Sequence, residues 1–196
     1  PTGAGKSIIY QLAGMLMPGI TAVIDPIVAL IDDQVHVLKS HGISRAAPIK
    51  SGRAEEMNDI LARAEMGEFY FLLFSPERLQ SPKFRNTLVT LKGISLINLA
   101  VIDEAHCVSE WGHDFRPAYL NLSKNVKEHM KDMRGSPPPI IALTGTASRA
   151  VLKDVMTELE LNKLKDPVIK PKSFDRDELK YWIRTCKHDR DREPMA

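Results

Sequence analysis

Apolar and polar positions follow two rhythms along this chain. Short, nearly continuous apolar runs at 20–25 (ITAVID), 69–74 (FYFLLF), 97–102 (INLAVI) and 139–143 predict four strands, each apolar on both faces. Between them apolar residues recur every three or four positions. That spacing predicts helices over 7–17, 27–41, 55–66 and 148–159, with a further helical stretch reaching about Leu91. Gly42 and Gly67 stand where the second and third helices should stop. In the first helix Ile8, Leu12, Met15 and Leu16 share one face, which is expected to be its core side. Strands that alternate with helices and are apolar on both sides predict an α/β fold, a mainly parallel sheet with helices on both faces. Pro137, Pro138 and Pro139 form a stiff entry into the last strand. After about Lys165 the text turns polar around Pro167 and Pro171 and reads as an exit linker with a frayed end.

Composition adds limits to this picture. At 196 residues and 43% hydrophobic content the chain can build one sizeable core. A formal net charge of +2 predicts no partner by bulk electrostatics, so any affinity for nucleic acid must be local. The basic excess is confined to 163–196, where ten Lys or Arg face seven Asp or Glu. Cys107 and Cys186 are too few for a disulfide framework and too isolated for a zinc site, which fits a reducing compartment. No apolar stretch approaches the roughly 20 residues that cross a bilayer, and the first residues, Pro-Thr-Gly, are no secretory leader. The expectation is a soluble protein without a membrane partner, in a bacterial-type cytoplasm because no basic import cluster appears. The chain lacks an initiator Met and starts inside a motif, so it is expected to be a fragment.

That motif is Pro1-Thr2-Gly3-Ala4-Gly5-Lys6-Ser7, which ends in Gly-Lys-Ser directly before a predicted helix. Glycines in such a loop let backbone N–H groups wrap phosphate oxygens, while Lys6 lies along the β- and γ-phosphates and the Ser7 hydroxyl ligates Mg²⁺. A glycine-rich turn capping a helix is the plainer reading of the same residues. A second feature weighs against it: the strand at 97–102 delivers Asp103-Glu104-Ala105-His106 at its C-terminal end, where ligands bind in open α/β sheets. Asp103 can hold Mg²⁺, partly through water, and Glu104 can accept the proton of the water that attacks the γ-phosphate.

These residues resemble superfamily 2 helicases. The thirteen residues from Ala105 through Cys107, Ser109, Trp111, Gly112, His113, Asp114, Phe115 and Arg116 to Pro117 resemble the aromatic-rich loop of the RecQ DNA helicases. Trp111 and Phe115 offer flat faces to unstacked bases, and His113 and Arg116 offer contacts to phosphate. Core packing is the alternative for the two aromatics. The segment from Pro26 to Gln34 is similar to a stretch that touches the DNA backbone in that family, and Ser75-Pro76-Glu77-Arg78-Leu79 resembles a second, in which Arg78 receives phosphate. Leu143-Thr144-Gly145-Thr146-Ala147 resembles the motif that couples hydrolysis to strand movement, with Gly145 where the family more often has Ala; His106, Thr144 and Thr146 are the coupling candidates. Ser173-Phe174-Asp175-Arg176 and Leu179-Lys180-Tyr181 resemble the crossover into a second helicase lobe.

The resemblance implies a RecA-like P-loop NTPase lobe over 1–168, truncated at its start, and a linker opening a second lobe over 169–196. It implies ATP and Mg as cofactors, single-stranded and partly duplex DNA as partners, and 3′–5′ unwinding in recombination and repair. An arginine finger, typically worth ~10³–10⁵ in rate, would come from the second lobe, so the isolated fragment is expected to be nearly inactive. An RNA helicase of the same superfamily and a non-catalytic nucleic-acid-binding module are the alternatives.

Overall fold

The computed structural model describes residues 5–50, 52, 54–110 and 114–169. The chain opens with α1 (Lys6–Leu16), then β1 (Ile20–Ile24), α2 (Val28–Ser40), β2 (Ala46–Ile49), α3 (Ala54–Glu65) and β3 (Phe71–Phe74). A 3-10 turn (Pro76–Gln80) leads into α4 (Pro82–Thr90), followed by β4 (Ile97–Ile102), α5 (Leu122–His129), β5 (Ile140–Ala142) and α6 (Arg149–Glu158). The five strands form one sheet in the order β2-β3-β1-β4-β5, and every neighbouring pair is parallel.

The pleat divides the core in two. Ile20, Ala22, Ile24, Leu72, Phe74, Ala100 and Ile102 pack under α3, α4, α5 and α6. Val23, Phe71, Leu73, Leu99 and Val101 point the other way, against Tyr10 of α1 and Ile31, Val35 and Leu38 of α2. Both faces are therefore covered, as the doubly apolar strands require.

Three features depart from the sequence reading, the last being α5, where the sequence reading has no helix. The apolar face expected to seat α1 is outside: Ile8, Leu12 and Leu16 are 65%, 54% and 76% exposed, and the buried positions are Tyr10 and Gly14. The cause is steric. Gly14 lies so close to the sheet that a Cβ there would come within 2.3 Å of Thr21 Oγ1 and 2.8 Å of the Phe71 ring, so the helix docks through its smallest residue. The second departure is β2, whose sequence Ala-Ala-Pro-Ile carries little strand signal; it is an edge strand, the position where a proline is tolerated.

The turn joining α1 to β1 is held from β4. Ile20 pairs with Ile97 and Thr21 with Leu99, so Asn98 is an extra, bulged residue. Its amide donates to the carbonyls of Met17 and Pro18 at 3.0 and 3.1 Å, and the Thr21 hydroxyl donates to its Oδ1 at 3.2 Å. Carbonyls just past the helix end are thereby satisfied. α1 and the strand that precedes Asp103 and Glu104 are thus tied to each other at the end away from Lys6 and the two acids.

Candidate nucleotide site

At the C-terminal edge of the sheet, Gly5 adopts φ +74°, a left-handed conformation open to glycine, and α1 begins at Lys6. The Lys6 Nζ lies 3.5 Å from Glu104 Oε1, although the two are 98 positions apart in sequence. The start of the helix after the glycine loop and the acids after β4 thus meet. Ser7 is half-buried at the same helix start. Thr2, Gly3 and Ala4 lie outside the described residues.

Asp103 and Glu104 differ sharply in setting. Asp103 is buried, its backbone N–H donates to the carbonyl of Ile24 at 2.9 Å, and its Oδ1 accepts from the Glu104 N–H at 2.8 Å. Burial, with the nearby Glu104 charge adding to it, pushes the Asp103 carboxyl above the usual range. Such a carboxylate is one that a cation would stabilise. Asp103 and the Ser7 hydroxyl are hard oxygen donors, and magnesium is commonly held by one or two protein oxygens plus substrate phosphates, so the residues fit that ion. Among the described residues no cluster of three or more His, Cys, Asp or Glu offers an all-protein metal cage.

Glu104 sits at φ +44°, a backbone region rare for a residue with a side chain and typically costing ~1–3 kcal/mol at functional sites. The strained turn brings its carboxylate between two partners, Lys6 on one oxygen and His106 Nδ1 at 3.2 Å from the other. His106 in turn has Nδ1 3.1 Å from Thr144 Oγ1 and Nε2 3.6 Å from Asp114. Thr144 Oγ1 donates to the Thr146 carbonyl at 2.8 Å and accepts from its N–H at 3.2 Å, while the Ala105 N–H donates to Leu143. His106 therefore joins the acid pair, the loop after β5 and the segment before Phe115. Sequence spacing alone does not reveal that junction.

The candidate DNA residues are placed unevenly. Trp111 and His113 lie outside the described residues, and Phe115 is half-buried. Arg116 is committed to protein: its Nη1 donates to the Pro26 carbonyl at 2.7 Å and lies 3.8 Å from Glu77, and its backbone N–H donates to Cys107. Arg78 turns inward, with its guanidinium 5.4 Å from the centre of the Phe84 ring and against Met57 Sδ, and burial holds its pKa below the usual value. In this arrangement both guanidiniums have partners within the protein, and the Arg116 side chain remains 41% exposed. Cys107 is buried, which pushes its thiol up to about 11 and leaves it inert.

Three residues of this region escaped the sequence reading. Tyr119 is fully buried and donates from its hydroxyl to the Asp103 carbonyl at 3.2 Å; an aromatic three positions after Arg116, just past Pro117, was the available signal. Asp25 directly follows β1, within the field of Asp103, and Tyr10 lies one helical turn after Lys6.

Comparison with known proteins bears on the family and the fold. Residues 1–155 match the DEAD/DEAH box helicase family. The chain is 44% identical to the probable ATP-dependent DNA helicase RecS of Bacillus subtilis over 82% of its own length and 30% of that protein. It is 40% identical to the ATP-dependent DNA helicase RecQ of the same organism, covering 83% of this chain and 26% of that one, and 40% identical to the RecQ-like DNA helicase BLM of Xenopus laevis, covering 93% and 13%. The chain thus spans less than a third of these relatives. In fold it is similar to the Hef helicase domain of Pyrococcus furiosus, with a TM-score of 0.56 and 19% identity over 82% of this chain and 32% of that one. Among the described residues no helix is long and apolar enough to cross a membrane. An α/β lobe in which Lys6 faces the Asp-Glu-Ala-His turn, matched over residues 1–155, belongs to the DEAD/DEAH box helicases, and the relatives it is similar to include RecQ helicases.

Proposed function

We propose that residues 1–168 form the nucleotide-binding lobe of an ATP-dependent 3′–5′ DNA helicase that couples ATP hydrolysis to movement along single-stranded DNA and to duplex unwinding in recombination and repair. Residues 169–196 then lead into a second lobe of the same protein, and a bacterial-type cytoplasm is the proposed compartment. The observation that carries the reading is the 3.5 Å approach of Lys6 to Glu104, with His106 linking Glu104 to Thr144.

The chain's own groups divide the work. Gly3, Ala4, Gly5 and Thr2 present backbone to the phosphates, and Lys6 neutralises charge on the β- and γ-phosphates. Ser7 and Asp103 would hold magnesium, which would supply positive charge to offset that developing on the transferred phosphoryl group. Glu104 takes the proton of the attacking water. His106, placed between Glu104, Thr144 and Asp114, passes the state of the pocket to the loop after β5 and to the 105–117 loop, where Trp111, His113 and Phe115 meet unstacked bases. Arg116 and Arg78 position that surface from within, with phosphate contact as their second role. Alone, residues 1–196 are proposed to turn over ATP slowly, because the arginine that completes the site resides in the second lobe.

The experiment is ATP turnover by the full-length protein with single-stranded DNA, single-stranded RNA or neither. Stimulation by DNA above RNA supports the proposal. Stimulation by RNA alone would make it an RNA helicase of the same superfamily, and turnover indifferent to both would remove the coupling.

A further inference from the structure

Beside the candidate nucleotide site lies a polar chain, buried at Tyr10 and Asp25 and half-buried at Gln34, with no role in the chemistry just described. The Tyr10 hydroxyl donates to Gln34 Oε1 at 2.6 Å, Gln34 Nε2 donates to Asp25 Oδ2 at 2.9 Å, and Asp25 Oδ1 accepts from the Ile27 N–H at 2.8 Å. Tyr10 and Asp25 are 0% and 1% exposed. The three side chains come from α1, α2 and the end of β1, so three short bonds tie together three elements that meet at the pocket.

The chain has a fixed direction. Burial, with the charge of Asp103 second, pushes the Tyr10 phenol up to about 12, so it donates. That fixes the amide of Gln34 with its oxygen toward Tyr10 and its nitrogen toward Asp25, and the carboxylate can only accept. Among the described residues no cation pairs with Asp25, whose neighbours in the field are the like charges of Asp103 and Glu104. A buried carboxylate without a counter-ion is an expensive way to stabilise a core, and apolar side chains of similar volume would serve folding at lower cost.

Both ends of the chain reach groups already placed. Tyr10 is four residues, about one turn, beyond Lys6, so the hydroxyl fixes the rotation of the helix face that carries the lysine. At the other end Asp25 precedes Pro26, the residue whose carbonyl is held by Arg116 from the 105–117 loop at 2.7 Å. A continuous run of bonded groups leads from that loop to the phosphate-loop helix.

We propose that Tyr10, Gln34 and Asp25 are positioning residues that transmit the arrangement of the 105–117 loop and of the first turns of α2 to Lys6, so that DNA engagement sets the rate of turnover. The proposal rests on the DNA-stimulated ATPase reading above. It concerns coupling and assigns none of the three to contact with substrate.

The test compares ATP hydrolysis by the full-length protein, with and without single-stranded DNA, in the wild type, Tyr10→Phe, Gln34→Met and the double variant. Tyr10→Phe removes one hydroxyl and keeps the ring, which sits edge-on to Phe71 with centroids 6.4 Å apart, so the fold has what it needs. For Tyr10→Phe, a position outside the 26–34 segment, the expected result is basal turnover and KM for ATP unchanged, and DNA-stimulated kcat lower by about fivefold or more, the low end of ordinary coupling between sites. The double variant should lose no more than the larger single loss, because the groups act as one chain. Full DNA stimulation in Tyr10→Phe would overturn the proposal, and so would an equal fall in basal and stimulated rates, which marks a purely structural role. A wild type that DNA does not stimulate would instead remove the functional reading on which the proposal stands.

Discussion

Gly14→Ala probes the seating of the phosphate-loop helix. A Cβ at position 14 would lie 2.3 Å from Thr21 Oγ1, 2.8 Å from Phe71 Cε1 and 3.2 Å from Thr21 Cβ. Carbon atoms pack optimally at ~3.5–4.0 Å, so the new methyl is about 1 Å too close to the Phe71 ring. Neither obstacle can swing away, because Thr21 and Phe71 are both fully buried and Thr21 is bonded to Asn98. The helix must lift. Overpacking of this kind costs ~1–3 kcal/mol, against which the better helix propensity of alanine returns at most ~1 kcal/mol. A net loss of about 1–2 kcal/mol corresponds to a fall in Tm of roughly 2–8 °C for a chain of this size. Lifting α1 also carries Lys6 away from Glu104. Thermal unfolding followed by circular dichroism and titration with a fluorescent ATP analogue should therefore both show a loss, and Thr21→Ala in the same chain should recover part of it as a favourable coupling energy. A Tm equal to or above wild type would mean that propensity prevails and that α1 does not rest on β1 and β3 through Gly14.

Two further substitutions probe neighbouring contacts. Burial, with the charges of Asp103 and Glu104 adding to it, raises the Asp25 carboxyl from 3.8 to about 6. The folded state therefore holds that proton more tightly than the unfolded one, and stability falls as pH rises from about 4 to about 6. Asp25→Asn removes this slope, so its stability relative to wild type should improve by up to about 3 kcal/mol across that window, read from denaturant melts at several pH values; parallel curves would show that Asp25 titrates normally. Tyr119→Phe strips the hydroxyl from the Asp103 carbonyl and should cost ~1–3 kcal/mol in the same melts, whereas an unchanged midpoint would mean the bond contributes nothing.

The alternation of buried strands and amphipathic helices was legible because each signal is local. Ile97–Ile102 needs no partner to look like a strand, and Ser148 announces α6 by capping it, accepting from the Val151 N–H. The α1 face was misread because Ile8, Leu12 and Leu16 carry the apolar weight while contact is decided by the absence of a side chain at Gly14. Local pattern reports what a face is made of and says little about how closely it approaches. α5 was missed for a related reason: its apolar stripe is only Leu122 and Val126, continued by Met130, in an otherwise polar segment. In the candidate site, Lys6, Ser7, Asp103 and Glu104 stood out in the sequence because each pair lies in a short local motif, and the structure brings Lys6 to Glu104. The inward turn of Arg78 and the bond from Arg116 to Pro26 did not, since each depends on a partner distant in sequence, Phe84 and Met57 packing in one case and a backbone carbonyl in the other. Tyr119 and Asp25 belong to the same class.

The central claim is that Lys6 and the acid pair serve one triphosphate. Its most direct test is Mg·ATP affinity and DNA-stimulated turnover of the full-length protein in Lys6→Ala and Glu104→Gln. Loss of a charged phosphate contact worth ~1.5–3 kcal/mol should weaken binding about tenfold or more in Lys6→Ala. Glu104→Gln should bind nucleotide as wild type does and turn over ~10²–10⁴-fold more slowly, because an amide cannot accept the proton. Wild-type affinity in Lys6→Ala, or ordinary turnover in Glu104→Gln, would contradict the account.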